Sequence, residues 1–287
     1  METSELLKKV RKVEIKTRGL SNQIFAGEYH SAFKGRGMAF SEVREYQFGD
    51  DIRNIDWNVT ARFNHPYIKV FEEERELTVM LLIDVSGSKN FGTKNELKSQ
   101  VVTEIAAVLS FSAIQNNDKI GIIFFSNKIE KFIPPKKGKK HILRIIRELI
   151  NFQPDNSETN ISVALQYFTN VIKKRCTAFV ISDFIDDNYQ DALRVANHKH
   201  DLIALKVYDI RETELPAIGL MKVCDAETGK TEWVDTSSQK VRAAYKKWWQ
   251  TLEMKQIQMF RKAGVDYATI RTDLDYVKPM KQLFNKR

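Results

Sequence analysis

The 287-residue sequence predicts an α/β fold, a doubly wound and mostly parallel sheet, and three observations carry that expectation. The run Val79–Ile83 is continuously apolar, as a strand covered on both faces requires. From Asp84 onward such runs alternate with amphipathic stretches, which is the pattern of strand–helix units packed in layers. Finally, Asp84 and Asp183 each fall where an apolar run stops. That is the C-terminal strand edge at which open α/β sheets bind ligands.

Each element has a local reason. Leu6, Leu7, Val10 and Val13 give residues 5–14 a short amphipathic helix. Tyr67–Phe71 reads as a strand leading through Glu72–Glu76 into Leu77–Ile83. Thr93 with Glu96 forms a capping-box signature for a helix carrying Leu97, Val101, Ile105, Val108, Leu109 and Ser112, which stops near Asn116-Asn117-Asp118. Strands follow at Ile120–Phe125 and at Ile129–Ile133, the second stopped by Pro134-Pro135. Helices at His141–Phe152 and Ile161–Lys173 precede a strand at Ala178–Ser182. A short helix, Ala192–His198, leads to a strand at Leu202–Tyr208. Within 210–236 the rhythm breaks into a hairpin, Leu220–Cys224 and Thr231–Val234, around a turn at Glu227–Lys230. The last unit is a long helix, Ser238–Ala263, ended by Gly264, then a strand at Tyr267–Ile270 and a short helix. One of Trp248 and Trp249 is expected on the sheet and the other at its margin. Residues 1–75 read as an N-terminal region packed on a main domain, 76–287, with the hairpin as its insertion.

Composition bounds the function. A hydrophobic content of 43% and a charged content of 29% suit a soluble globular chain. No apolar run approaches the roughly 20 residues that span a bilayer, so no membrane span is expected. METSELLKKVRKVEIK has no apolar core of a targeting signal, and Cys176 and Cys224, without CxxC spacing, read as buried free thiols. A cytoplasmic protein is expected. The net charge of +9 is local: residues 237–287 hold 12 Lys+Arg against 4 Asp+Glu. A second basic patch lies at 128–147. Neither carries an aromatic-rich binding motif, so both read as solvated helix faces and nucleic acid is not an expected partner.

Two stretches carry chemistry. Between Gly35 and Arg62, acids and arginines alternate around Tyr46 and Trp57 (Arg44, Asp50, Asp51, Arg53, Asp56), which reads as a pinning network of ion pairs. Asp84, Ser86 and Ser88 form a DxSxS sequence at the end of the central strand. Thr159, in Ser157-Glu158-Thr159-Asn160, and Asp183, in Ile181-Ser182-Asp183-Phe184, reach the same crevice in a doubly wound sheet. Two carboxylates and three hydroxyls make a hard, oxygen-only site for Mg²⁺, or for Mn²⁺ or Ca²⁺. Such a set leaves a position open for an outside oxygen, and an acidic side chain of a protein partner is the expected donor.

Catalysis is not expected. A phosphohydrolase using Asp84 as nucleophile is the alternative, but Ser86 stands where a DxDxT enzyme has its proton-transferring acid. Neither a GxSxG elbow nor a GxxxxGK[ST] loop occurs, and His198 and His200 read as solvated. A nucleic-acid or anionic-surface binder using the basic patches is the other alternative.

Asp84-x-Ser86-x-Ser88, Thr159 and Asp183 resemble the metal-ion-dependent adhesion site of von Willebrand factor type A domains. The block GRGMAFSEVREYQFGDDIRNIDWNVTAR, residues 35–62, resembles the bacterial family called domain of unknown function 58. The resemblance implies a von Willebrand-like domain preceded by a family-specific N-terminal region. It also implies a non-enzymatic interaction module associated with MoxR-type AAA+ ATPases, which are thought to help assemble or activate other proteins. Ser86 and Ser88 would then coordinate the ion directly, Thr159 directly or through water, and Asp84 and Asp183 largely through water. Lys89, where many such domains have Met, and Glu158, in place of a glycine, are departures from the pattern.

Overall fold

A computed structural model describes residues 37–74, 77–87, 98–154, 158–224 and 229–287. The sequence expectations at 5–14, Ser88, Lys89, the Thr93–Glu96 capping box and the first half of the Glu227–Lys230 turn lie outside these residues. The chain divides into two compact units, one of them Gly35–Glu76 and the other containing Leu77–Arg287.

In the smaller unit, β1 (Gly37–Glu45) and β2 (Tyr67–Glu74) pair antiparallel, with a bulge between Phe40 and Glu42. A single 3₁₀ turn, Ile52–Asn54, and helix α1 (Trp57–Phe63) join them. The network expected here centres on Arg44, whose two guanidinium nitrogens each donate 2.8 Å to an oxygen of Asp50. Asp50 also accepts from the Gln47 N–H at 2.8 Å, and these bonds hold its carboxyl below the usual range. Asp56 caps α1 by accepting from the N–H groups of Asn58 and Val59. Arg53 is exposed, and among the described residues it joins through its backbone N–H, 3.0 Å from Asp51 Oδ1. The strand β1 was not legible in the sequence, because charged residues break its alternation.

The larger unit is built on a six-stranded sheet in the order β10-β7-β6-β3-β4-β5. These strands are β3 (Thr78–Asp84), β4 (Lys119–Phe125), β5 (Ile129–Lys136), β6 (Thr177–Ser182), β7 (Asp201–Tyr208) and β10 (Asp266–Arg271). All neighbours are parallel except β4 and β5. Strand order reverses at β3, which is the doubly wound arrangement expected.

Alternate side chains of each strand serve opposite layers, since the side-chain period of a strand is two residues. Leu81 and Ile83 face a core with helices α2 (Lys98–Gln115) and α3 (Lys139–Asn151) and with the C-terminal segment Tyr276–Phe284. Met80 and Leu82 face helices α4 (Ile161–Val171), α5 (Gln190–Lys199) and the far end of a long helix described below. Helix α2 is buried on nearly every side, so its apolar residues exceed a single stripe.

Strand β5 runs through Pro134 and Pro135 to Lys136 rather than stopping at Ile133. It is the sheet's antiparallel edge, where a residue without an N–H is tolerated. Gly121 of β4 makes the close approach possible: a Cβ there would lie 2.8 Å from Met80 Sδ and 2.8 Å from the Pro135 nitrogen.

After β7 come α6 (Ile210–Thr213), the antiparallel pair β8 (Leu220–Cys224) and β9 (Thr231–Asp235), and α7 (Gln239–Ala263). Gly264 ends α7 at φ 66°. Helix α8 (Val277–Phe284) closes the chain. Trp249 is buried and Trp248 half exposed, the division the sequence implied. Two expectations are corrected. Cys224 is exposed, because β8 belongs to the small two-stranded sheet outside the core, whereas Cys176 is buried. His200 is buried rather than solvated: α5 ends at Lys199 and His200 turns inward onto Phe168, with ring centroids 4.4 Å apart. His198 is exposed as expected. No helix among the described residues is long and apolar enough to cross a membrane.

Candidate metal centre

Asp84 is the last residue of β3 and Asp183 follows the last residue of β6, and these strands are hydrogen-bonded neighbours. Both carboxylates therefore lie at one strand edge, beside the point where strand order reverses. Asp84 is 9% exposed and Asp183 5%. Each is held by hydrogen bonds, Asp84 from its own loop and from β6, Asp183 from its own loop. Asp84 Oδ1 accepts from the Ser86 N–H at 2.9 Å, and Oδ2 accepts from the Ser182 hydroxyl at 2.7 Å. Asp183 Oδ1 accepts from the Ile185 N–H at 3.2 Å.

The loop after β6 is itself fixed. Phe184 adopts φ 58°, a left-handed backbone rare for a bulky residue. Its N–H donates to Ser182 Oγ at 3.0 Å, and the buried Gln256 of α7 donates to the carbonyls of Phe184 at 2.7 Å and Asp183 at 3.2 Å. The Phe184 ring packs edge-on against Phe260, 4.9 Å between centroids. A fully buried aromatic and a glutamine thus hold a turn that aims Asp183 back across the strand ends.

Thr159 comes from the loop before α4. That loop is anchored on both sides: the Asn160 N–H donates to the Ser126 carbonyl at 3.0 Å, and the Ile161 N–H donates to Asp186 Oδ2 at 2.7 Å. Thr159 Oγ1 is buried and has no hydrogen-bond partner among the described residues. It lines a cavity of about 500 Å³ with Ile185, Asp186 and Asp187 of the β6 loop and Trp248, Thr251, Leu252 and Lys255 of α7. Glu158 accepts from Asn127 Nδ2 at 2.9 Å. Ser86 is buried next to Asp84.

Sequence reasoning missed a buried cation. Lys98, 3% exposed in α2, donates 3.0 Å to Asp183 Oδ2 and 2.7 Å to Glu212 Oε1. Glu212 is the far half of a capping box with Asp209: it accepts from the Asp209 N–H at 2.9 Å, and Asp209 Oδ1 accepts from the Arg211 N–H at 2.8 Å. Thr272 donates to the other Asp209 oxygen at 2.9 Å. The signal was present as Asp209-x-x-Glu212 directly after an apolar run, the pattern that opens a helix. Nothing in the pattern around Lys98 marks it.

Electrostatics follow burial. Burial and the neighbouring Asp183 charge push the Asp84 carboxyl up to about 6, against the pull of the Ser182 and Ser86 hydrogen bonds. Burial raises Glu212 too, and Lys98 opposes it. For Lys98, burial lowers the ammonium's pKa, but the charges of Asp183 and Glu212 outweigh it and raise it overall. Two carboxylates that repel each other suit a hard divalent cation, and they share a small cavity with Lys98 and Ser182, whereas Thr159, whose buried hydroxyl is an orphan among the described residues, lines a different cavity. Among the described residues no three His, Cys, Asp or Glu cluster as a richer ligand set would require.

The crystal structure of the conserved hypothetical protein BatB from Bacteroides thetaiotaomicron is similar, at 16% identity over 73% of this chain and 98% of that chain, with a TM-score of 0.49. The crystal structure of the SpRpn10 VWA domain is similar at 12% identity, over 74% of this chain and 95% of that one, with a TM-score of 0.40. An uncharacterized protein of Mycobacterium tuberculosis is 28% identical over 232 residues, 80% of this chain and 73% of that protein. The family described as "Protein of unknown function DUF58" matches residues 42–254, and the chain belongs to that family.

Proposed function

We propose that the protein is a metal-dependent protein-interaction module rather than an enzyme. The observation that carries this reading is the convergence of Asp84 and Asp183 at adjoining strand ends, both buried and mutually repelling. Asp84, Ser86, Thr159 and Asp183, with Ser88 of the DxSxS sequence, would hold Mg²⁺ or a similar ion. When bound, such an ion supplies a Lewis-acidic centre that accepts one further oxygen from outside the chain.

The residues of the chain divide the remaining work. Ser182 and the Ser86 N–H fix the Asp84 carboxylate, and Gln256 fixes the turn that carries Asp183. The cavity beside Thr159 admits a partner segment, with Trp248 and Leu252 as apolar wall and Lys255 as the basic end. An acidic side chain on that segment is the matching donor, and a MoxR-type AAA+ ATPase is the partner the family resemblance implies. Asp84 is poorly disposed as a nucleophile, because both carboxylate oxygens already accept hydrogen bonds within the fold.

The test is binding of the purified protein to a purified MoxR-type ATPase by light scattering or calorimetry in Mg²⁺, in EDTA, and with Asp84→Ala. Binding that requires both Mg²⁺ and Asp84 supports the reading. Binding indifferent to both moves the interface away from this site.

A further inference from the structure

Three carboxylates, Asp84, Asp183 and Glu212, belong to the charged surroundings of this strand edge, and one ammonium, Lys98, donates to two of them, Asp183 and Glu212. Lys98 is not a surface ion pair that solvent could replace. Its side chain is 4% exposed, Asp183's 4% and Glu212's 13%, and the bonds are 3.0 Å and 2.7 Å. Lys206, the other buried lysine nearby, feels the charges of Asp183 and Glu212 but has no hydrogen-bond partner among the described residues; its Nζ lies 5.0 Å from the Trp249 ring and 5.6 Å from that of Tyr208. Glu212 anchors the far side, because the Asp209 capping box and the Tyr245 hydroxyl, 3.1 Å from the Glu212 carbonyl, hold its helix in place.

Lys98 therefore already gives Asp183 a positive charge that a divalent cation would also offer. An ammonium at hydrogen-bond distance from one carboxylate lowers the attraction that carboxylate exerts on a second cation, and the effect is large where water is excluded. Glu212 works in the opposite sense. It shares the ammonium, and by doing so leaves Asp183 less neutralised than a private pair would be.

We propose that Lys98 is a built-in competitor cation that sets the divalent-ion affinity of the site, with Glu212 as its counterweight. The proposal rests on the metal-binding reading given above. It makes Lys98 a positioning and charge-setting residue, not a ligand. Its consequence is that affinity follows the local charge: removing the ammonium tightens binding, and removing the Glu212 charge weakens it.

The experiment is a charge cycle in the full chain: wild type, Lys98→Met, Glu212→Gln and the double variant, each titrated with Mn²⁺ alone and followed by electron paramagnetic resonance. Circular dichroism checks that each variant is folded. For one unit charge at this range and an effective dielectric near 20, the expected change is roughly tenfold or more. Lys98→Met should bind about tenfold tighter, Glu212→Gln about tenfold weaker, and the double variant should return to within about threefold of wild type. A purely structural role for the ion pair would weaken both single variants alike and not restore the double. Should Lys98→Met fail to fold, Glu212→Gln and the double variant still decide it. If wild type binds Mn²⁺ through Asp84 while Glu212→Gln binds as tightly, the competitor idea falls and the metal site stands. If wild type and Asp84→Ala are alike in binding none, the metal reading falls and this proposal with it.

Discussion

Ser182 donates its hydroxyl hydrogen to Asp84 across 2.7 Å while accepting the Phe184 N–H at 3.0 Å, so one oxygen ties the ends of two parallel strands and starts the turn after β6. Both residues are buried, at 4% and 9% exposure. The acid at the end of β3 and the acid after β6 are thereby fixed relative to each other without any surface contact.

Ser182→Ala should consequently act on stability and on the site together. It leaves a buried carboxylate oxygen and a buried N–H short of a partner, a loss of about 1–3 kcal/mol. Urea unfolding should show the drop, and Mg²⁺ titration should show weaker binding by a protein that remains folded. Unchanged affinity would mean that the orientation of Asp84 does not depend on Ser182.

Gly121→Ala tests the packing under the edge strand. The added methyl would meet Met80 Sδ and the backbone nitrogen of Pro135, both 2.8 Å away, and the backbone cannot yield as a flexible side chain could. A cost of about 1–3 kcal/mol is expected, read as a lower melting temperature. A neutral result would show that β5 moves freely at Pro135.

His200 supplies a pH dependence. Burial, with Lys199 and Arg175 adding repulsion, lowers its pKa from 6.5 to about 4. The folded state then binds fewer protons than the unfolded chain, so the contribution is complete above pH 6.5 and is lost as pH falls toward 4. By pH 5 the loss from this group is on the order of 2 kcal/mol. Denaturant unfolding at pH 7 and pH 5 should show it, and His200→Gln should have the flatter profile. Parallel profiles would contradict this assignment.

How much of this was legible beforehand depended on which physics carried each feature. Val79–Ile83 announced a strand because burial on both faces demands a continuous apolar run, and Gly264 announced a helix end because φ 66° suits glycine. Asp84 and Asp183 were legible because each stops an apolar run. Strand β1 was not, since it pairs with β2 in a unit with a small core and a charged sequence. His200 was read as solvated because it is spaced i,i+2 from His198 near a helix end, and the packing of Phe168 with the Cys176 thiol 3.5 Å from its Nδ1 reverses that. Lys98 was invisible for the same reason. A lysine in a helix reads as solvent-facing until the fold brings Asp183 and Glu212, 85 and 114 residues away in the chain, to its ammonium.

The most direct test of the account is calorimetric titration of Mg²⁺ into the full chain and into Asp84→Ala, with folding confirmed by melting curves. The account predicts saturable binding to the wild type and none to the folded variant. Equal binding to both, or none to either, would contradict an Asp84-centred metal site.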